Sequence, residues 1–337
     1  NGFDTYVHVV NTSSTEVKAV KVRFLEGKDS AEVLDFNLYL SPNDEWTGAI
    51  TRTEQGAGLT SDDTSCIAPR QVPTLGSAPE EFRNTVYDSN GDSVNGHDRT
   101  REGYLEVIEM GVVAASDLRA AAIHSQSGTV PPSTPADCGL LRSEAGQGQR
   151  LDGRANDANV LPPTGGLYGF ATLINVNAGV KISTDAVALD NFFIAEDVSQ
   201  YDDLHYPPGD IRPGLNQVNT AADVLDGNQI VTSDNCDQLG CLPIRQNVDT
   251  VSMVLMHDTI SNNYEVDQER LSKTDWVVTF PTKKYYVDTA DNTPLELLAP
   301  FASPWDEDTS SSCDPVSVTY WDREEQQEQL QDDFSPQ

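Results

Sequence analysis

Apolar and polar residues alternate along the first third of the chain, as they do in strands that bury one face. In "AVKVRFLEG", Val20, Val22 and Phe24 fall on one side, whereas Lys21 and Arg23 fall on the other. The stretch "VLDFNLYLS" alternates in the same way, and the "SPND" that overlaps its end has turn-forming residues. The pattern predicts half-buried antiparallel strands with a polar face toward solvent.

Further strand-like runs continue toward the end of the chain. They are "GYLEVIEMGVV" (103–113), "YGFATLINVNAG" (168–179), "DAVALDNFFI" (185–194), "DTVSMVLM" (249–256), "DWVVTFP" (275–281), "KKYYVD" (283–288) and "PVSVTYWD" (315–322). Helix signals are confined to "ASDLRAAAIH" (115–124), with Ser116 as its cap, and "REEQQEQLQ" (323–331). The predicted fold class is all-β, with two immunoglobulin-like or jelly-roll-like β-sandwich domains and long irregular loops.

A weak similarity between two stretches of the chain suggests where a second domain begins. The order of strand, Asn, polar break and strand in "YVHVVNTSSTEVKAVKVRF" recurs in "GFATLINVNAGVKISTDAVAL". We therefore predict an N-terminal sandwich at 1–125 and a C-terminal sandwich at 161–322. A linker or long loop rich in Gly, Pro and Ser (126–160) lies between them, and an acidic tail (323–337) follows.

The charge of the chain excludes several classes of partner. The 54 acidic residues outnumber the 21 basic ones and give a net charge of −33, so nucleic acids and anionic membranes are repelled. Two compatible interpretations remain: a solvated surface of a secreted protein, or carboxylates that bind Ca²⁺. No apolar run approaches the roughly 20 residues of a transmembrane helix. The start at Asn1, without Met or a signal-peptide pattern, is expected for a mature secreted chain or for a trimmed start.

The five cysteines lie in loop-like sequence and form no CxxC pair. In an acidic, apparently secreted chain they predict disulfides. We pair Cys66 with Cys138 and Cys236 with Cys241, which leaves Cys313 over. The connectivity stays open, because Cys313 is an alternative partner for either cysteine of the short loop.

The best candidate for a cation site is "YDSNGDSVNGHD" (87–98). Asp88, Asn90 and Asp92 alternate around a Gly turn, as the first ligands of a Ca²⁺ loop do. The twelfth position is Arg99 instead of Glu, however, and Gly is fourth instead of sixth, so an Asx-rich turn is the competing interpretation. The acidic stretch "SPWDEDTSSSCD" (303–314) is a second candidate. No other cofactor is predicted.

Motifs of enzyme active sites are absent from the sequence. It contains no GxSxG, HExxH, Walker or post-strand GxGxxG motif, and its five histidines have no metal-ligand spacing. A glycoside hydrolase needs two neighbouring carboxylates, for which Glu106 and Glu109 are the best local candidates. An offset of three along a strand directs these side chains to opposite faces, so they cannot act together. We predict no catalytic residues and no enzymatic activity.

Four blocks resemble a family of exported proteobacterial proteins that are described only as cell-surface proteins. The blocks are "AVKVRFLEGKDSAEVLDFNLYLSPNDEWTGAI", "DRTREGYLEVIEMG", "DAVALDNF" and "TDWVVTFPTKKYYVD", which together extend from about residue 4 to residue 288. The resemblance implies export and association with the cell surface, and it supplies no activity and no catalytic residues. It also implies a strand-like apolar segment before Asn1.

These observations predict a secreted, non-enzymatic structural protein of the cell surface or extracellular matrix. Open sandwiches have edge strands with unpaired backbone groups, so we expect subunits to assemble into a filament or pilus-like polymer by strand pairing. The alternative is a glycan- or surface-binding adhesin, in which loop aromatics stack on sugars; a secreted glycoside hydrolase is the third hypothesis. The candidate aromatics are Tyr201, Tyr206, Trp305 and Trp321.

Overall fold

A computed structural model describes residues 2–85, 96–124, 134–152, 159–193, 205–218, 220–233, 243–262, 276–287, 301–306, 311–321 and 327–329. Its strands are β1 Asp4–Asn11, β2 Lys18–Glu26, β3 Glu32–Leu40, β4 Glu45–Arg52, β5 Ala57–Thr60, β6 Cys66–Ala68, β7 Glu80–Glu81, β8 Gly103–Val113, β9 Val160–Leu161, β10 Leu167–Asn175, β11 Val180–Asp185, β12 Asp223–Asp226, β13 Gln229–Thr232, β14 Thr319–Trp321 and β15 Gln327–Gln329. The α-helices are α1 Ser116–Ala122, α2 Cys138–Glu144, α3 Pro243–Leu255 and α4 Lys284–Val287, and 3₁₀ turns occur at His97–Arg101 and Leu215–Gln217.

Two antiparallel sheets form a sandwich, which confirms the all-β prediction. The six-stranded sheet has the order β11-β10-β1-β4-β5-β7, and the five-stranded sheet has the order β6-β3-β2-β8-β9. Side chains from both sheets meet in one core, in which Trp46 of β4 packs edge-on against Phe36 of β3 with ring centroids 5.5 Å apart. Val20, Val22 and Phe24 lie in this core, as the alternation in β2 predicts.

The outer face of the five-stranded sheet is also covered. All nine residues of β2 are buried, so the prediction that its polar side faces solvent is wrong. At one end of this face, Ala19 and Tyr39 pack against helices α1 and α2. A disulfide between Cys66 of β6 and Cys138 of α2, with Cα atoms 5.2 Å apart, joins the helical layer to the sheet and confirms that pairing.

Helix α1 lies within the residues from which the sequence predicts a helix. Ala115 precedes it and caps it without a side-chain hydrogen bond, so Ser116 is the first helical residue instead of the cap. Helix α2 has the capping interaction that α1 lacks. Asp137 accepts a hydrogen bond from the backbone N–H of Leu140 at 2.9 Å, which satisfies a donor of the first turn.

The boundary predicted at residue 161 lies inside this sandwich. Strand β10 pairs with β1 over its whole length, from Asp4↔Ile174 to Asn11↔Leu167, and β9 pairs with β8. The "PPTGG" segment between β9 and β10 is therefore the turn by which the chain passes from one sheet to the other. Strands that the sequence assigns to a C-terminal domain complete the N-terminal sandwich.

A second sandwich is not confirmed by the part of the chain that the structure describes. Beyond Asp185, the described strands form two separate two-stranded pairs, β12–β13 and β14–β15. The strand predicted at 249–256 belongs instead to helix α3. Val248, Val251 and Leu255 recur at helical spacing and face apolar neighbours, and a short apolar run does not distinguish a strand from a buried helix. The strand predicted at 283–288 contains α4, and residues 327–329 of the predicted 323–331 helix are strand β15.

Candidate functional site

The four edges of the sandwich differ in length. Strands β6, β7 and β9, at three of the edges, contain only two or three residues each. The fourth edge is β11, with six residues, and on its far side it pairs with no strand that the structure describes. Very short edge strands are a common protection against pairing with other chains, and β11 lacks that protection.

Strand β11 is a regular and exposed template. It pairs with β10 without a register shift from Asn175↔Val180 to Phe170↔Asp185. Residues 181–185 are exposed, and the segment "VKISTD" is rich in β-branched residues and contains no proline. Alternate backbone N–H and C=O groups on its far side point away from the sheet, which is the geometry that strand addition needs.

The two faces of β11 have different chemistry. Ile182 pairs with Leu173 on the side of the core, and 37% of Ile182 is exposed because it lies at the rim of the sheet. On the opposite side, the Ser183 hydroxyl lies 2.9 Å from that of Thr172. An added strand would therefore meet an aliphatic row on one face and a polar row on the other.

Next to this edge, aromatic rings line the outer face of the six-stranded sheet. The rings of His8 and Phe170 stack with centroids 4.1 Å apart and planes at 7°, and Tyr168 follows 5.8 Å from Phe170. The Tyr168 hydroxyl donates a hydrogen bond to Asp185 at 2.9 Å, and His8 Nδ1 donates one to Glu45 at 2.7 Å. Sequence reasoning missed this row because its members come from β1 and β10, which are 160 residues apart in the chain.

The buried polar side of β2 lies beneath residues 205–214. Lys21 Nζ donates hydrogen bonds to Asp35 Oδ2 and to the carbonyl oxygens of Pro207 and Asp210, each at 3.0 Å. Burial lowers the pKa of Lys21, although the neighbouring Asp35 carboxylate opposes the shift. The carboxylate of Asp35 also accepts from the N–H of Gly209 at 2.8 Å. These bonds attach the later part of the chain to the sandwich.

Arg23 lies between two buried carboxylates on the same face. Its Nε donates to Glu32 and its Nη1 donates to Glu106, both at 2.7 Å. Burial raises the pKa values of Glu32 and Glu106, and the charge of Arg23 opposes both shifts. Arg23 bonds one oxygen of each carboxylate, whereas Glu106 Oε1 is buried without a hydrogen-bond partner among the described residues.

Glu106 and Glu109 have different partners, as expected for residues on opposite faces of a strand. Glu109 Oε1 accepts from Lys18 Nζ at 2.9 Å, and its two oxygens accept from the backbone N–H groups of Thr164 and Gly165. Glu106 accepts from Arg23 instead. The two carboxylates do not form the pair that glycoside hydrolysis requires.

A chain of hydrogen bonds around His124 joins two turns to the end of α1. The Ser41 hydroxyl donates to Asp44 at 3.0 Å and lies 3.0 Å from His124 Nδ1, while the Thr64 hydroxyl lies 3.2 Å from Nε2. With Ser41 donating to Asp44, His124 Nδ1 is the donor in its contact with the Ser41 hydroxyl.

A groove of about 440 Å³ lies between the end of α2 and residues 207–212. Its two arginines are both engaged within the protein. Arg142 donates to the carbonyl oxygen of Ile67 and to Gln71, and Arg212 donates to Asp210. Both guanidinium groups are therefore held in place by bonds within the protein.

The candidate cation ligands Asp88, Asn90 and Asp92 lie outside the described residues, as do Cys236 and Cys241. Arg99, at the position that breaks the Ca²⁺-loop pattern, donates to the buried Glu26 at 2.6 Å. Cys313 is half-buried and is not in a disulfide among the residues described. Within the same ranges, no group of three or more His, Cys, Asp or Glu side chains is arranged to hold a metal ion.

The loop aromatics of the sequence-based adhesin hypothesis have different environments. Tyr206 is buried, and the guanidinium of Arg212 lies 4.4 Å from its ring centroid. Trp305 is half-buried, whereas 54% of Trp321 is exposed on β14. Tyr201 lies outside the described residues. Only Trp321 of the described three is open enough for a sugar to stack on it.

Comparison of the chain with protein-family models, curated proteins and solved structures gave no match. In the described part of the chain, no helix is both long enough and apolar enough to cross a membrane.

Proposed function

We propose that this protein is a secreted, non-enzymatic structural component of the cell surface or extracellular matrix, and that its subunits associate by strand pairing. The observation that supports the proposal is strand β11, an exposed six-residue edge in a sandwich whose other edges have two or three residues. Pairing at such an edge uses backbone hydrogen bonds and needs no catalytic group.

The symmetry of the contact between subunits determines whether a closed dimer or a filament forms. Two β11 strands that pair with each other antiparallel give a closed two-fold dimer, because both subunits use the same surface. A filament needs β11 to pair with a segment of the next subunit other than that subunit's own β11, which leaves one β11 open at the growing end. The proposed polymer is therefore head-to-tail.

Other features suit an extracellular polymer. The Cys66–Cys138 bridge is stable only in an oxidising compartment, which agrees with secretion. The charge of −33 makes subunits repel each other. In 0.1 M salt, the repulsion between exposed charges that are more than roughly 10 Å apart is largely screened. Assembly is therefore expected to increase with ionic strength.

The proposal is tested by electron microscopy and sedimentation of the purified chain over a range of protein and salt concentrations. Ordered fibres that grow with concentration support it. A monodisperse monomer at all concentrations and salt levels contradicts it, and a dimer that never extends supports strand pairing but rejects the polymer.

A matched pair of variants tests whether β11 is the strand through which subunits pair. Ile182→Lys places a charge on β11, whereas Ile230→Lys places the same charge on β13, where 70% of the isoleucine is exposed. We expect the first change to abolish assembly and the second to leave it intact, because Ile182 lies on the core side of β11, where a charge opposes burial against an added strand. Equal assembly of both variants would show that β11 is not the contact.

Consecutive proline substitutions refine the test. In an edge strand, successive N–H groups alternate between the paired and the free side. Of Ile182→Pro and Ser183→Pro, one removes a hydrogen bond to β10 and the other removes only an outward donor. The variant that retains the wild-type circular dichroism spectrum is expected to be the one that folds and no longer assembles.

A further inference from the structure

We propose that the row formed by Tyr168, Phe170 and His8 is a binding platform for a cationic amino-sugar polysaccharide, one whose hexosamine units carry free ammonium groups. This inference is separate from strand pairing, because it uses side chains on the outer face of the sheet, including Asp185 at the end of β11, and not the free backbone groups of the β11 edge.

The geometry of the row suits a sugar ring. The three side chains lie on the solvent side of adjacent strands, and the row is at most about 10 Å long. Nearly half of Tyr168 is exposed, while Phe170 and His8 are half-buried. Phe170 and His8 each cover one face of the other and are held in a fixed orientation, which leaves Tyr168 as the most open ring for a ligand to stack on.

Carboxylates at both ends of the row supply the polar contacts. Asp185 accepts the Tyr168 hydroxyl at 2.9 Å, and Glu45 accepts His8 Nδ1 at 2.7 Å. Each carboxylate has about four acceptor sites, so each has capacity for ligand donors beyond these bonds. The Asp185 carboxylate raises the pKa of Tyr168 through its hydrogen bond, which keeps that hydroxyl a donor.

The charge of the platform selects the ligand class. Acidic side chains at both ends, on a chain of net charge −33, repel uronic-acid and sulfated polymers and attract ammonium groups. An ammonium over an aromatic face also gains a cation–π attraction. A sugar with free amines therefore matches the aromatic row and both carboxylates.

The test compares a glucosamine oligomer with its fully N-acetylated form by isothermal titration calorimetry on the whole protein. We expect binding of the amine form that weakens as salt rises, and binding of the acetylated form that is at least 10-fold weaker. Equal affinity for both forms, or no binding of the amine form, would overturn the proposal.

Variants locate the site. Tyr168→Ala is expected to weaken binding at least 10-fold, and Asp185→Asn is expected to weaken it and reduce its salt dependence. Trp276→Ala removes an exposed aromatic elsewhere and should leave affinity unchanged. If Tyr168→Ala does not fold, Glu45→Gln tests the opposite end of the row. Unchanged affinity in Asp185→Asn and Glu45→Gln would reject the platform, and retained assembly in these variants would show that the two proposals are separate.

Discussion

The guanidinium of Arg23 lies 2.7 Å from the carboxylate of Glu106, and the two side chains, on adjacent strands, are only 4% and 5% exposed. Glu32 contacts the same guanidinium at 2.7 Å. A buried charge loses its hydration on folding, so such ions are stable only with partners in place. The face of β2 that the sequence directs to solvent is therefore an ionic layer inside the protein.

Removal of Arg23 is expected to be costly. Arg23→Met leaves two carboxylates buried without their cation, and we expect the free energy of unfolding to fall by about 3–5 kcal/mol in urea denaturation. The matched control is Arg150→Met, which breaks the exposed pair with Asp117 and should lower the free energy of unfolding far less than Arg23→Met does. Similar losses in the two variants would mean that the Arg23 cluster is hydrated.

The buried His205 predicts a pH dependence of stability. Burial, with a contribution from nearby Lys21, lowers the pKa of His205 from 6.5 to about 3. Between about pH 3 and pH 6.5, His205 is therefore protonated in the unfolded chain and neutral in the folded chain. The contribution of His205 to stability is complete above about pH 6.5 and is lost as the pH falls from 6.5 toward 3.

A difference measurement isolates this effect from the titration of the many carboxylates. Between pH 7.5 and pH 5, urea denaturation should show that the wild type loses about 2 kcal/mol more than His205→Gln. His257→Gln, at an exposed position, should keep the slope of the wild type. Parallel curves for the wild type and His205→Gln would contradict a buried neutral ring.

The disulfide is expected to contribute strongly to stability. It joins residues separated by 72 positions, and closing a loop of that length restricts the unfolded chain by about 4 kcal/mol in the chain-entropy description. Cys66→Ala/Cys138→Ala should lose about this amount in guanidinium denaturation without reductant. With reductant, the wild type and the variant should become nearly equal; a difference that persists would point to packing of the sulfur atoms instead.

Gly111 marks the bulge of β8 and should not tolerate a side chain. Its φ is +153°, and a Cβ there would meet the carbonyl oxygen of Leu161 on β9. We expect Gly111→Ala to cost about 1–3 kcal/mol in urea denaturation. Gly146→Ala has room for its methyl group and serves as the control. A neutral effect at Gly111 would show that β9 moves freely away from β8.

Much of the sandwich could be predicted because its signals are local. Alternation in β2 and β3 fixes which residues enter the core, and a strand with one apolar side must bury that side wherever its partners come from. The pairing of Cys66 with Cys138 also agreed with the prediction. The edge strand and the aromatic platform were not identifiable in this way, because exposure at an edge depends on which strands pair and in what order.

The fold class, the core face of the early strands and the absence of familiar catalytic motifs can be read from the amino-acid order. Tertiary structure decided the rest through contacts between distant residues. Lys21 is buried because residues 207 and 210, nearly 190 positions later, bond its ammonium group. β10 joins the first sandwich because β1 offers it a full-length partner. Local patterns determine what a segment can bury, whereas only the assembled chain determines what covers it.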